Sequence, residues 1–298
     1  MVNKKDIPLL EPKLFREAFI ENKQKSILNN ARIDEFFIHS FLEDEVQLKK
    51  PLPLHKKTVN DFVLVINGAM HKSVGLNTFK LESKSFLFTP KDSITTSENI
   101  TENITGYYCH FSDDFLKGNP SLKFWHTSVL SQNVLSLSNE QVSILEGLLR
   151  RILFLYRESY AQPNNYFLIQ QYLSTFLAEA TVMLSEKPQV SRENPILLRF
   201  QQLVSKYFKE SRSVSFYADL IHISPNHLNK VVKTETGKSA SHLIDEVCIL
   251  EAKVLLGQTT LAIQEVALAL GFEDPSYFNR YFKKHAGISP RNYQVMID

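Results

Sequence analysis

Asn226, Asn229, Lys230 and Lys233 recur at intervals of three and four residues, and Ser276, Asn279, Arg280 and Lys283 repeat that spacing fifty residues later. Positions i, i+3, i+4 and i+7 share one face of a helix. On such a face asparagine can bind adenine through N6 and N7, arginine can bind guanine through O6 and N7, and lysine can reach guanine or phosphate. The N-terminus of a helix adds backbone donors for phosphate. One polar helix face is ordinarily just solvated; two matched copies ask for a common surface to read.

Two elements must hold these faces in place. The run SPNHLNKVVKTETGKS aligns without a gap on DPSYFNRYFKKHAGIS. Ser224 or Asp274 serves as N-cap, Pro225 or Pro275 opens the helix, and Gly237 or Gly287 stops it. Opposite the polar faces lie Leu228, Val231 and Val232 in the first helix, and Phe278, Tyr281 and Phe282 in the second. Upstream, VSFYADLIH aligns on IQEVALALG with a one-residue slip, and Ala218 and Ala267 leave room for a close helix crossing. Each unit is therefore predicted to be a helix-turn-helix. The helix expected between them, SASHLIDEVCILEAKVLLG, would span about 27 Å at 1.5 Å per residue. That length could set two reading helices about 34 Å apart, one turn of DNA.

These residues resemble the DNA-binding domain of the AraC/XylS family of transcription regulators. The resemblance covers Pro195 to Asp298 and includes ALALGFEDPSYFNRYFKKHAGISPRNY, Ala267 to Tyr293, which matches the family signature. It implies that Asn226, Asn229 and Lys230 in the first unit, and Pro275, Ser276, Tyr277, Asn279 and Arg280 in the second, face bases or backbone, with Pro275 starting its helix rather than reading. Lys230 stands where relatives often carry arginine, which moves bidentate guanine readout to the second unit. The N-terminal half resembles a cupin-type sensing domain on the strength of Gly68 and Pro90. Where many such domains carry histidines, this chain has Asn60 and Asp61, and Lys91 to Thr95 lack one. A metal or a sugar bound in the familiar way is not expected.

The wider chain fits such a division. Its 298 residues, 43% hydrophobic with a net charge of +2, are enough for about two domains, and any basic surface must be local. From Arg32 to Phe111 the runs IDEFFIHSF, DFVLVING, GLNTFKL, SFLFTP and ITGYYCHF read as short strands of a β sandwich or barrel. From Ser138 the apolar period becomes helical, giving two amphipathic helices, and Lys187 to Pro195 reads as a linker. The expected fold is α+β: a sensor domain at 1–137 with an N-terminal arm, a helical pair at 138–186, a linker at 187–195, and an all-α double helix-turn-helix domain at 196–298. The helical pair either covers the β domain or forms a dimer surface; the dimer is the favoured reading, with the stripe Leu145, Leu148, Leu149 and Ile152 making the contact and part of it still covering the sheet.

Other chemistry finds little support. His39, His55, His71 and His110 are scattered without a metal-binding spacing, and His55 and His71 are placed in loops. Cys109 and Cys248 sit in apolar contexts and are assigned to packing. No signal peptide or membrane span is evident. The expectation is a cytoplasmic, non-enzymatic regulator with no cofactor, partnered by double-stranded DNA, RNA polymerase, an unidentified small effector and a second copy of itself. The alternative is a cupin-like metal enzyme carrying a DNA-binding appendage.

Overall fold

The computed structural model describes residues 11–21, 28, 30–44, 46, 52, 54–127, 134–158, 164–185, 194–258 and 261–297. Two compact units divide the chain, Leu9–Pro188 and Gln189–Asp298. The linker expected at 187–195 falls outside the described residues as far as 193, and Pro195 already opens a helix.

The first unit begins with α1 (Pro12–Phe19), then β1 (Phe36–Ser40), β2 (His55–Lys56), β3 (Asn60–Asn67), β4 (Met70–Val74), β5 (Asn77–Leu81), β6 (Ser85–Thr89), β7 (Ile94–Glu98) and β8 (Thr105–Phe111). It continues with α2 (Pro120–Thr127), β9 (Val134–Ser136), α3 (Asn139–Glu158) and α4 (Asn165–Ser185). Two antiparallel sheets result, one ordered β1-β8-β3-β6-β9 and the other β2-β7-β4-β5. The alternation of side chains along a strand sorts the five-stranded sheet into two faces. Phe62, Leu64, Phe86, Phe88, Cys109 and Phe111 share one core with α3 and α4, where Phe176 stacks 4.7 Å from Phe62. Val63, Val65 and Leu87 meet Met70, Val74 and Leu81 in a second, smaller core. Because β3 is covered on both sides, its sequence DFVLVI runs apolar without alternating.

Three expectations need correction here. His55 and His71 lie on β2 and β4 rather than in loops. Those strands escape the sequence pattern because β2 has two residues and β4 carries Lys72 in a buried slot between Met70 and Val74. The stripe Leu145, Leu149 and Ile152 is fully buried within its own unit, with Leu148 packed against the same core. Those leucines cover the sheet and α4, so they are not available to a second copy. The apolar side chains that α3 and α4 do expose are Ile144, Phe154, Phe167, Leu168 and Val182.

The second unit is all helical: α5 (Pro195–Tyr207), α6 (Val214–Ile221), α7 (Pro225–Thr236), α8 (Ala240–Gln258), α9 (Ile263–Ala269), α10 (Pro275–Ala286) and α11 (Pro290–Ile297). The capping residues act as read. Ser224 accepts from the His227 amide, Asp274 accepts from Ser276 and Tyr277, and Gly237 and Gly287 close their helices at φ 73° and 80°. The α6–α7 and α9–α10 turns share one hydrogen-bond pattern with the predicted one-residue slip: Ile223 donates to Ala218 O at 3.0 Å, and Phe272 donates to Ala267 O at 3.0 Å. The left-handed position is His222 in the first turn and Gly271 in the second. Glycine is required in the second, because a Cβ there would come within 2.0 Å of Lys209 O. Arg212 seals that contact, with its guanidinium 3.7 Å from the Phe272 ring centroid and bonded to Gly271 O.

Candidate nucleic-acid interface and an interior cavity

On α7, Leu228, Val231 and Val232 are buried while Asn226, Lys230 and Lys233 are exposed. On α10, Phe278, Tyr281 and Phe282 are buried while Ser276, Tyr277, Asn279, Arg280 and Lys283 are exposed. Eight of the nine predicted contact residues are thus presented as two helix faces, and Pro275 starts α10 as expected. The ninth, Asn229, is half-buried, and its Oδ1 accepts from the Ala240 amide at 3.1 Å, tying α7 to the start of α8. The gapless alignment pairs Ala240 with Pro290, which has no N–H to give. Asn279 therefore keeps Oδ1 for another donor and spends only Nδ2, on Pro275 O at 2.9 Å. Arg280 is 71% exposed and lies 3.9 Å from the Asp274 carboxylate, a loose pairing that leaves its fork of donors outward.

The first unit contains a cavity of about 640 Å³ between its two sheets, bordered at one side by α1. That volume lies in the range of small-molecule sites. Apolar and aromatic side chains dominate its wall, among them Phe15, Phe37, Val63, Met70, Ile100 and Ile104. A cluster of charge stands among these side chains, with Lys57 Nζ 5.6 Å from the Phe15 ring centroid. Lys57 Nζ donates to Asp61 Oδ2 at 3.0 Å and to Tyr108 OH at 2.9 Å, and Lys72 Nζ donates to Asp61 Oδ1. Burial alone would push the Asp61 carboxyl up, but its two ammonium neighbours outweigh it and hold the group below the usual carboxylate range. Burial lowers Lys72 to about 8, against the attraction of Asp61. His110 Nε2 is 2.7 Å from Ile33 O, and burial lowers both His39 and His110 to about 4, so both rings are neutral near pH 7.

A family model described as a helix-turn-helix domain matches residues 217–295, which contain α7 and α10. AdaA of Bacillus subtilis, a bifunctional transcriptional activator and DNA repair enzyme, is 32% identical over 95 residues, 32% of this chain and 45% of that one. The transcriptional activator RhaR of Yersinia pseudotuberculosis is 31% identical over 102 residues, 33% of each chain. The likeness to these transcriptional activators is confined to the helical second unit. Less than half the length of those curated relatives is spanned by the match. ToxT from Vibrio cholerae O395 aligns over 88% of this chain and 98% of its own at 14% identity, with a TM-score of 0.41.

The two exposed polar faces were legible in the sequence, and the charged cavity was not. Asp61 stood out only as a residue where cupin-type sensing domains carry histidine, and Lys57 and Tyr108 carried no signal. A lysine centred in the alternating run Met70, Lys72, Val74 was the clue available, since that position must face inward if its neighbours do. The cysteines behave as predicted: both are buried, and burial pushes the Cys109 thiol up and the Cys248 thiol to about 11, leaving neither as a thiolate near neutral pH. Among the described residues, no group of three or more His, Cys, Asp or Glu side chains converges as a metal site would require, and no helix is long and apolar enough to cross a membrane.

Proposed function

We propose that the protein is a sequence-specific DNA-binding transcription regulator. The observation that carries this reading is the pair of exposed polar faces on α7 and α10, each backed by a buried apolar side and each entered through the same turn. Each helix enters the major groove, and one chain spans two successive grooves. Asn279 and Arg280 read base edges; Asn226, Lys230, Lys233, Ser276, Tyr277 and Lys283 hold register on phosphate or add lesser base contacts. The first unit is a cupin-like sensor whose cavity takes a small effector. Occupancy biases how the two helices meet DNA and RNA polymerase, and paired sites are bound by a homodimer in the cytoplasm.

The test is a binding selection on randomised duplexes with the full chain, followed by titration of the selected site and of random DNA. Arg280→Ala and Asn279→Ala are each expected to cost about 1 to 3 kcal/mol on the selected site and to relax preference at a defined base pair, whereas Lys283→Ala lowers affinity for both duplexes and flattens the salt dependence. Equal losses on selected and random DNA for Arg280→Ala would remove its reading role.

A further inference from the structure

We infer that Asp245 on α8 is a positioning residue for DNA reading: its carboxylate fixes the rotation of α10 about its own axis and so sets where Asn279 and Arg280 point. This rests on the reading of α10 as the helix that meets base edges, and adds what orients it. Tyr281 OH donates to Asp245 Oδ1 at 2.7 Å, and His285 Nε2 lies 3.8 Å from Asp245 Oδ2. Residues four apart share one face of a helix, and the Tyr281 and His285 rings are 4.6 Å apart. Asp245 thus meets two successive turns of α10 from behind, with the Tyr281 bond the closer of the two contacts.

Tyr281 acts as a stiff lever. It is buried, with its ring packed 5.1 Å from Phe272, and Phe272 is covered in turn by the Arg212 guanidinium. Packing on both sides holds the side-chain torsions in one well, so the hydroxyl cannot turn without the helix. Burial pushes that hydroxyl up, with Cys248 and Asp245 beside it adding to the effect, so it keeps its proton and donates. Sulfur is a weak acceptor, whereas a bond to a carboxylate is roughly twice as strong as a neutral one. With its side chains a helix is about 10 to 12 Å across, so a rotation of about 10° carries a reading side chain by about 1 Å. That is enough to open a hydrogen bond to a base edge.

The matching residues of α7 cannot make this brace. In the gapless alignment Val231 and Glu235 stand where α10 has Tyr281 and His285. Valine has no donor, and Glu235 carries the sign of Asp245. Asn229 ties α7 to α8 instead, through a side chain of the reading face itself. On α10 the brace acts from the buried side and leaves Asn279 and Arg280 to the DNA.

The test applies the selection on randomised duplexes to the full chain, with Arg280→Ala marking the base pairs read from α10. Tyr281→Phe keeps the ring and removes the hydroxyl. It is expected to weaken binding to the selected duplex about fivefold, the scale of one hydrogen bond, and to random duplex by less than about twofold. Preference should relax at the pairs that Arg280→Ala marks and hold elsewhere in the site. Asp245→Ala should match Tyr281→Phe, and the two together should be no worse than either alone. Asp245→Asn, whose amide oxygen still accepts, should keep the preference. If Asp245→Ala does not fold, Tyr281→Phe against Asp245→Asn carries the test. Equal losses on both duplexes, additive losses in the double variant, or a loss in Asp245→Asn as large as in Tyr281→Phe overturns the assignment. Full discrimination by Tyr281→Phe overturns it too and leaves α10 as a reader. An unaltered chain that binds selected and random DNA alike removes the reading itself, and the assignment with it.

Discussion

The two units handle charge in opposite ways. The sheet unit folds Lys57, Asp61 and Lys72 inward, where Asp61 and Lys72 lose almost all contact with water. The helical unit turns Lys230, Lys233, Arg280 and Lys283 outward, and the carboxylate that Arg280 pairs with is 3.9 Å away. A charge buried among partners is tied to the stability of its domain, whereas an exposed charge is nearly neutral for stability and is free to bind. The same residue types therefore announce different roles according to the element beneath them.

The strongest challenge to this contrast is removal of one partner from each unit. Asp61→Ala leaves two buried ammoniums facing each other and is expected to cost about 3 to 5 kcal/mol in the unfolding transition of the sheet unit. Arg280→Ala separates only a loose exposed pair and should change stability by less than about 0.5 kcal/mol. Denaturant unfolding of the two full-length variants, followed by far-ultraviolet circular dichroism, compares them. A mild Asp61→Ala would mean that the cluster is open to water and that the contrast between the units is false.

Acid sharpens the comparison from the inside. His39 and His110 have folded values near 4, lowered chiefly by burial from the ordinary 6.5. Between pH 6.5 and 4 the unfolded chain takes up protons that the folded chain refuses, so stability must fall as pH falls through that window. A tenfold loss of proton affinity on folding is worth about 1.4 kcal/mol, so each histidine costs roughly 3 kcal/mol by pH 4. Lys72 slopes the same way at the other end: its folded value near 8 lies below the ordinary 10.5, so its contribution improves as pH rises from 8 toward 10. Lys57 and Tyr108, both raised, act in the opposite sense only above about pH 10. Thermal unfolding from pH 4 to 7 should show the sheet unit losing its transition first, and His110→Gln should flatten part of that slope.

How much of this was legible in the chain follows from the same contrast. The helical unit announces itself because its signals are local: Ser224 and Asp274 cap, Pro225 and Pro275 initiate, Gly237 and Gly287 terminate, and a repeat confirms each. The β unit depends on pairings far apart in sequence. Asp61 lies opposite Thr89 and His110 in its own sheet and meets Lys72 from the other sheet, and neither adjacency has a local mark. Lys72 broke an apolar alternation that it in fact obeys, so β4 was not recognised. α2 was missed because Pro120–Thr127 is short and has no strong apolar period. The stripe on α3 was found, and its share in covering the sheet was expected; its whole burial within the unit was not, since periodicity shows that a face is buried but not by what.

The smallest difference lies inside the helical unit, between two asparagines that the repeat made equivalent. Asn229 gives its carbonyl to the Ala240 amide; Asn279 has Pro290 in the matching place and keeps its carbonyl exposed. Asn229→Ala strips a hydrogen bond from the first turn of α8 and should cost about 1 kcal/mol of stability, the usual scale of a lost cap, with little change in which DNA sequence is preferred. Asn279→Ala should do the reverse, leaving stability within about 0.5 kcal/mol and weakening preference at one base pair. Pro290→Ala supplies the amide that the second unit lacks, at a helix position where alanine is well tolerated. If that N–H captures Asn279 as Ala240 captures Asn229, the selected site should lose affinity while random DNA does not. An unchanged selected site in Pro290→Ala, alongside a weakened one in Asn279→Ala, would show that the reading asparagine is held by DNA more firmly than by its own domain.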